Sequence, residues 1–90
     1  MAKESRLQTK IRINLEQEGW YVVKISLCNK RGFPDLMCLL DGTTRFLEVK
    51  SKGKKAAPLQ KHRHRELYDH GFETYVIDTF EGFLNIKHRL

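Results

Sequence analysis

The stretch Gly32-Phe33-Pro34-Asp35-Leu36-Met37-Cys38-Leu39-Leu40-Asp41-Gly42-Thr43-Thr44-Arg45-Phe46-Leu47-Glu48-Val49-Lys50 decides how this chain folds. Asp35 to Leu40 and Thr44 to Lys50 read as two strands joined by Asp41-Gly42, the strongest short-range hairpin signal in the sequence. A two-residue turn there sets Leu40 opposite Thr43 and, counted back along both strands, Asp35 opposite Glu48. Residues directly opposite in an antiparallel ladder share a face with Cβ atoms about 5 Å apart, so both carboxylates can grip one ion. Lys50 projects from the same face, because strand side chains alternate with period two. Met37, Leu39, Thr44 and Phe46 separate this charged cluster from the turn, so it is built next to apolar positions.

Outward from the hairpin, Leu7, Ile11 and Leu15 recur every four positions between Glu4 and Glu18, which predicts an amphipathic helix closed by Gly19. Trp20 to Cys28 is dense in aromatic and β-branched residues and predicts a strand buried on both faces. Asn29 to Pro34 is a loop, and Ser51 to Ala57 is a basic, glycine-containing connection. Pro58 is placed to start a second helix that runs to about His70 and is closed by Gly71. Glu73 to Ile77 reads as a fourth strand, and Thr79 to Leu90 as a tail with one short helix through Phe83, Leu84, Ile86 and Lys87. The order α-β-β-β-α-β describes an α/β domain with a mixed central sheet flanked by helices. Ninety residues fit a single domain over 1–90, and so small a core favours self-association.

Seventeen Lys and Arg against eleven Asp and Glu leave a net charge of +6, which suits a partner with clustered negative charge, a nucleic acid first. Composition excludes collagen-like and largely disordered classes, and no apolar run has the length of a membrane span or a secretory core. The expectation is a soluble intracellular protein without a membrane partner. Cys28 and Cys38 lack disulfide-framework and zinc-ligand spacing, and both read as small buried hydrophobes.

Two carboxylates held face to face repel unless a cation or a proton sits between them. Mg²⁺ takes one or two protein carboxylates and keeps waters and substrate phosphate oxygens, so Asp35 and Glu48 are candidate ligands, with Mn²⁺ as the alternative ion. The backbone carbonyl of Val49 is a third candidate oxygen. Lys50 is placed to orient an attacking water or to meet charge developing on a phosphate, which makes metal-assisted phosphodiester hydrolysis the chemistry that needs this set.

Gly32-Phe33-Pro34-Asp35 followed after twelve residues by Glu48-Val49-Lys50 resembles the PD-(D/E)xK nuclease signature. The surroundings, from Lys24 through Phe46-Leu47-Glu48-Val49-Lys50 to Pro58-Leu59-Gln60 and Gly71, resemble the small VRR-Nuc domain, a branch similar to archaeal-type Holliday-junction resolvases. Pro58-Leu59-Gln60 is not followed by the Val-Arg-Arg that names the family. The resemblance implies a restriction-endonuclease-like core, metal binding by Asp35 and Glu48, and Lys50 as catalytic lysine. It also implies Gln60 as a supporting active-site residue and Glu4 as an auxiliary acid, although Glu4 equally suits the first turn of a helix. Cleavage of DNA, branched DNA included, by a homodimer or larger homo-oligomer in the cytoplasm of a bacterial or phage-infected cell is the corresponding functional expectation.

From Lys50 to Arg65 the charged residues are Lys50, Lys52, Lys54, Lys55, Lys61, Arg63 and Arg65, with no acid among them. Lys52, Lys54, Lys55, Lys61 and Arg63 are candidate phosphate contacts, as are Lys30 and Arg31 ahead of the Pro-Asp turn. Lys24 suits either a phosphate contact or a solvated strand end. His62 and His64, two apart on a helix, read as surface residues or further phosphate contacts rather than ligands, and Trp20, Tyr21 and Phe46 as core. The rival from another class is a non-catalytic basic DNA- or RNA-binding module in which the charged cluster is a salt-bridge network.

Overall fold

The computed structural model describes residues 5–90. Its elements are α1 (Arg6–Gln17), β1 (Tyr21–Lys24), β2 (Leu36–Leu40), β3 (Thr43–Val49), α2 (Pro58–Asp69), β4 (Thr74–Ile77), α3 (Phe80–Ile86) and a final 3-10 turn (Lys87–Arg89). The four strands form one sheet in the order β1-β2-β3-β4. The first three are antiparallel, and β4 returns parallel to β3 after the α2 crossover, so the sheet is mixed.

The hairpin register follows from its turn. Leu40 pairs with Thr43 and Leu36 with Leu47, as the Asp41-Gly42 connection demands. Asp41 and Gly42 both take positive φ, +48° and +81°, the conformation that a tight two-residue hairpin requires. One face of the sheet is the core: Leu36, Cys38 and Leu47 pack with Ile77 beneath Ile11 and Leu15 of α1 and Phe83 of α3. Helix α1 is capped by the Ser5 side chain, which accepts from Gln8 N–H at 3.0 Å, and Gly19 leaves it at φ +94°. Lys87 donates to Asn14 at 2.9 Å and pairs with Glu18, tying the chain's last turn to α1.

Three sequence expectations are corrected. The strand expected over Trp20 to Cys28 ends at Lys24 and is an edge rather than a doubly buried strand, with Tyr21 70% exposed instead of packed in the core. The reason lies in the partner. After the Ile25 N–H bond to the Asp35 carbonyl at 2.7 Å, the chain opposite turns away through Lys30 to Phe33, and Ser26 to Cys28 have no strand partner among the described residues. Cys28 consequently lies exposed, whereas Cys38 is buried with its thiol pKa pushed up to about 12 by desolvation. The tail carries the expected short helix, over Phe80–Ile86, and Lys87 begins the 3-10 turn that follows it. Thr79 accepts from Gly82 N–H at 2.9 Å to start α3, and Phe83 is fully buried, so the order becomes α-β-β-β-α-β-α. Among the described residues, no helix is long and apolar enough to cross a membrane.

Candidate functional site

Helix α2 lies over the other face of the sheet and carries no fully buried residue. Phe46 supplies the apolar floor there, with Phe33 and Phe72 edge-on to it at ring-centroid distances of 5.5 and 6.2 Å. Two residues along β3, on the same face, Glu48 is 1% exposed and is the buried charged side chain among the described residues. An isolated buried carboxylate is unfavourable, so its neighbours matter.

Those neighbours form a compact polar network. Continuing the β2-β3 register places Asp35 opposite Glu48, and Asp35 Oδ2 accepts the Val49 N–H at 2.8 Å, which fixes its carboxylate beside the strand. Gln60, in the first turn of α2, donates through Nε2 to Glu48 Oε2 at 3.3 Å. Its Oε1 accepts from Lys50 Nζ at 3.2 Å and from the Ala57 N–H at 2.8 Å. Ala57 has no side-chain acceptor to cap α2, so Gln60 both closes the helix start and bridges Lys50 to Glu48. Burial, together with hydrogen bonding to and repulsion by Asp35, pushes the Glu48 pKa up from 4.5 to about 8, against the opposing pull of Lys50. The Glu48 side chain is therefore a carboxyl that keeps its proton well above the ordinary carboxylate range, even with Lys50 in the network.

His64 belongs to this network. Its Nε2 lies 3.4 Å from Glu48 Oε1 and its side chain is 14% exposed, with burial lowering its pKa while Asp35 raises it. The sequence reading placed it on the surface with His62. The overlooked signal is its spacing from Gln60, since residues four apart share one helix face.

The remaining candidates divide. Lys30 and Arg31 line a cleft of about 310 Å³ together with Ile25 to Cys28, Gly32, Phe33, Asp35 and Gln60. Lys54, Lys55 and Lys61 surround a second hollow on the β4 side of α2, with His64, Val76 and Asp78. Asp78 accepts the Gly53 N–H at 2.9 Å and holds the basic connection down. Lys52 is exposed, and Lys24 is half-buried at the end of β1. Arg63 is not a free charge: it pairs with Glu66 at 2.9 Å and donates to the Arg31 carbonyl at 2.8 Å, bracing the Asn29–Pro34 loop against α2. Glu4 lies outside the described residues.

Gly32 sets the approach of that loop. It sits at φ +80°, and a Cβ there would lie 3.0 Å from Leu59 Cγ and 3.2 Å from the Leu59 backbone. Gly32→Ala is expected to destabilise the fold by roughly 1–3 kcal/mol, combining a disfavoured φ with a tight approach to the Leu59 side chain and backbone. A thermal melt beside the parent protein checks this; an unchanged melting temperature would show that the loop yields without strain.

The donor chemistry fits a hard divalent ion. Among the described residues no three His, Cys, Asp or Glu side chains gather into a metal cage. Two carboxylates are nevertheless the protein share that Mg²⁺ takes when waters and phosphate oxygens complete its shell. Opposite Val49 in the continued register stands Pro34, which carries no N–H and leaves the Val49 carbonyl without a ladder donor from that position.

No protein-family sequence model matches this chain. A phage protein described as "Putative nuclease p44", from Acyrthosiphon pisum secondary endosymbiont phage 1, is 28% identical over 80 residues, 88% of this chain and 86% of that protein. A solved structure described as "VRR_NUC domain" superposes with a TM-score of 0.86 at 29% identity, covering 98% of this chain and 97% of the other. The chain thus has the fold of a VRR_NUC domain and is similar to it in sequence along nearly its whole length.

Proposed function

We propose that this chain is a Mg²⁺- or Mn²⁺-dependent endonuclease that hydrolyses DNA phosphodiester bonds, with branched DNA as its preferred substrate. The observation that carries the reading is Glu48, a carboxyl kept almost wholly from solvent, facing Asp35 and joined to Lys50 through Gln60. A protein that needed only to bind polyanions has no use for two carboxylates at the head of its basic surface. Likeness to a VRR_NUC domain and to a phage protein described as a nuclease supports the same reading.

Asp35, Glu48 and the Val49 carbonyl would hold the ion. When bound, it would supply Lewis acidity toward the phosphate and a lowered pKa for water. The chain's own residues do the rest. The Val49 N–H keeps Asp35 in place, and Gln60 and His64 fix the Glu48 oxygens, so the carboxylates need little rearrangement to act as ligands. Gln60 also holds the Lys50 ammonium beside the carboxylates, where it stabilises negative charge building on the phosphoryl oxygens. Lys30 and Arg31 on one flank of α2, Lys54, Lys55 and Lys61 on the other, and the exposed Lys52 of the connection before it contact phosphates away from the reacting one. A homodimer would present two such sites to a two-fold junction.

Labelled four-way junction, flap and linear duplex incubated with Mg²⁺, Mn²⁺ or EDTA test this. Cleavage is expected with either metal, fastest on a branched substrate, and none with EDTA. Tight, salt-sensitive binding without cleavage under any of these conditions would replace the enzyme by a nucleic-acid-binding module.

A further inference from the structure

Leu27 is 95% exposed, the most exposed of the large hydrophobic side chains among the described residues. It stands on the segment between β1 and β2 that walls the Asp35 and Gln60 cleft, and it lines that cleft itself. The segment is anchored on either side of Leu27, at Ile25 and at Lys30 and Arg31. Ile25 N–H is bound to the Asp35 carbonyl, Cys28 Sγ donates to the Lys30 carbonyl at 3.2 Å, and Arg63 Nε holds the Arg31 carbonyl. Gly32 packs directly on Leu59 of α2. The fold thus carries an apolar side chain out into water between two anchored points, at the rim of the candidate catalytic site, with Lys30 and Arg31 lining the same cleft. Single exposed hydrophobes are ordinary on protein surfaces. This one combines near-total exposure, anchored chain on either side and cationic residues lining the same cleft.

We infer that Leu27 is a wedge that enters DNA beside the scissile phosphate and occupies the space of a base step, so that the site takes DNA in which a nucleotide is already unstacked or easily unstacked. Charge complementarity selects the occupant: the cations that share the cleft fit phosphates, and the apolar side chain that lines it with them fits the faces of bases. A cleft of about 310 Å³ next to Asp35 gives the displaced nucleotide a place to lie. The inference rests on the endonuclease reading and deepens it, because junctions, flaps and mismatches share weakened stacking at the branch or lesion. On this view the choice of substrate comes from the ease of unstacking rather than from base contacts.

The test separates wedge from catalysis by using two readouts. Duplexes carrying 2-aminopurine at a junction, at a mismatch or in fully paired sequence are titrated in EDTA, and the same substrates are then cleaved in Mg²⁺. The parent protein is expected to raise 2-aminopurine emission at junction and mismatch. Leu27→Ser removes an exposed group and so spares the fold; it is expected to lose that rise and roughly tenfold in affinity for the distorted substrates, the loss of one buried apolar side chain. Leu84→Ser, an exposed apolar side chain on α3, serves as the control that keeps the rise. An equal emission rise in Leu27→Ser, or a uniform loss of affinity across paired and distorted DNA, would overturn the wedge. Binding to anionic vesicles in preference to every DNA would overturn it too. Unstacking by the parent without cleavage in Mg²⁺ would support the wedge while removing the nuclease reading, so the two failures are told apart.

Discussion

Glu48→Gln is expected to lower DNA cleavage by about a thousandfold or more while raising the melting temperature of the metal-free protein at pH 8. The first effect follows from the proposed role, because loss of a charged group that acts on the transition state removes on the order of 10²–10³ in rate, and a lost ion removes more. The second follows from burial. Glu48 is 1% exposed and faces another carboxylate, so ionising it in the folded protein is unfavourable. Gln keeps the shape and an acceptor oxygen for the Gln60 or His64 contact without the charge. Cleavage assays and thermal melts on the same preparation check both. A variant as active as the parent would remove Glu48 from the mechanism. A variant that lost activity and stability together would mark Glu48 as a structural residue whose charge the fold depends on.

Millimolar Mg²⁺ is expected to raise the melting temperature, and by more at pH 8 than at pH 5. The Glu48 pKa stands at about 8 in the folded protein against 4.5 as the ordinary value, so between those limits the folded state holds a proton that the unfolded chain has released. Stability linked to this group is whole below about 4.5, falls as pH rises, and is gone above about 8, an effect on the order of a few kcal/mol. On the proposed function, a divalent ion takes the proton's place. At pH 5 it must displace that proton, whereas at pH 8 it enters a site already losing it. An ion present at about 100 times its Kd stabilises by about 2.7 kcal/mol, which in a domain of this size is on the order of 10 °C. Melts at pH 5, 6.5 and 8, with Mg²⁺ or EDTA, read this directly, and Glu48→Gln is expected to flatten both the pH slope and the Mg²⁺ shift. A shift of equal size at every pH would place the ion elsewhere on the molecule.

The parts of this molecule that were readable in sequence are those governed by local rules. Asp41-Gly42 forces a two-residue turn, the turn forces the register, and the register brings Asp35 and Glu48 face to face without reference to any distant residue. Leu7, Ile11 and Leu15 likewise predict α1 from spacing alone. The parts that were not readable depend on what comes to lie opposite. Composition made Trp20 to Cys28 look like a buried strand, but its pairing ends where Lys30 to Phe33 turn away to meet α2, which strands Leu27 and Cys28 in solvent. His64 was hidden for the same reason: nothing around it in sequence reveals that β3 presents a buried carboxyl beneath that face of the helix. Phe83 completes the core from a tail of weak local pattern, and only the groove between α1 and the sheet explains its burial.

The two faces of the sheet are built in different currencies. Beneath α1 and α3 lies close-packed hydrocarbon; beneath α2, a helix without a fully buried side chain, lie one aromatic floor and a few hydrogen bonds to Glu48. Most of what keeps the chain folded is therefore on the side away from the candidate site. Lineages that inherit this architecture can exchange residues on the outward surface of α2 and its flanking loops, and so explore new targets, with little loss of foldability. Divergence should accordingly run fastest around the rim and slowest beneath α1, leaving relatives that superpose closely while differing in what the rim binds.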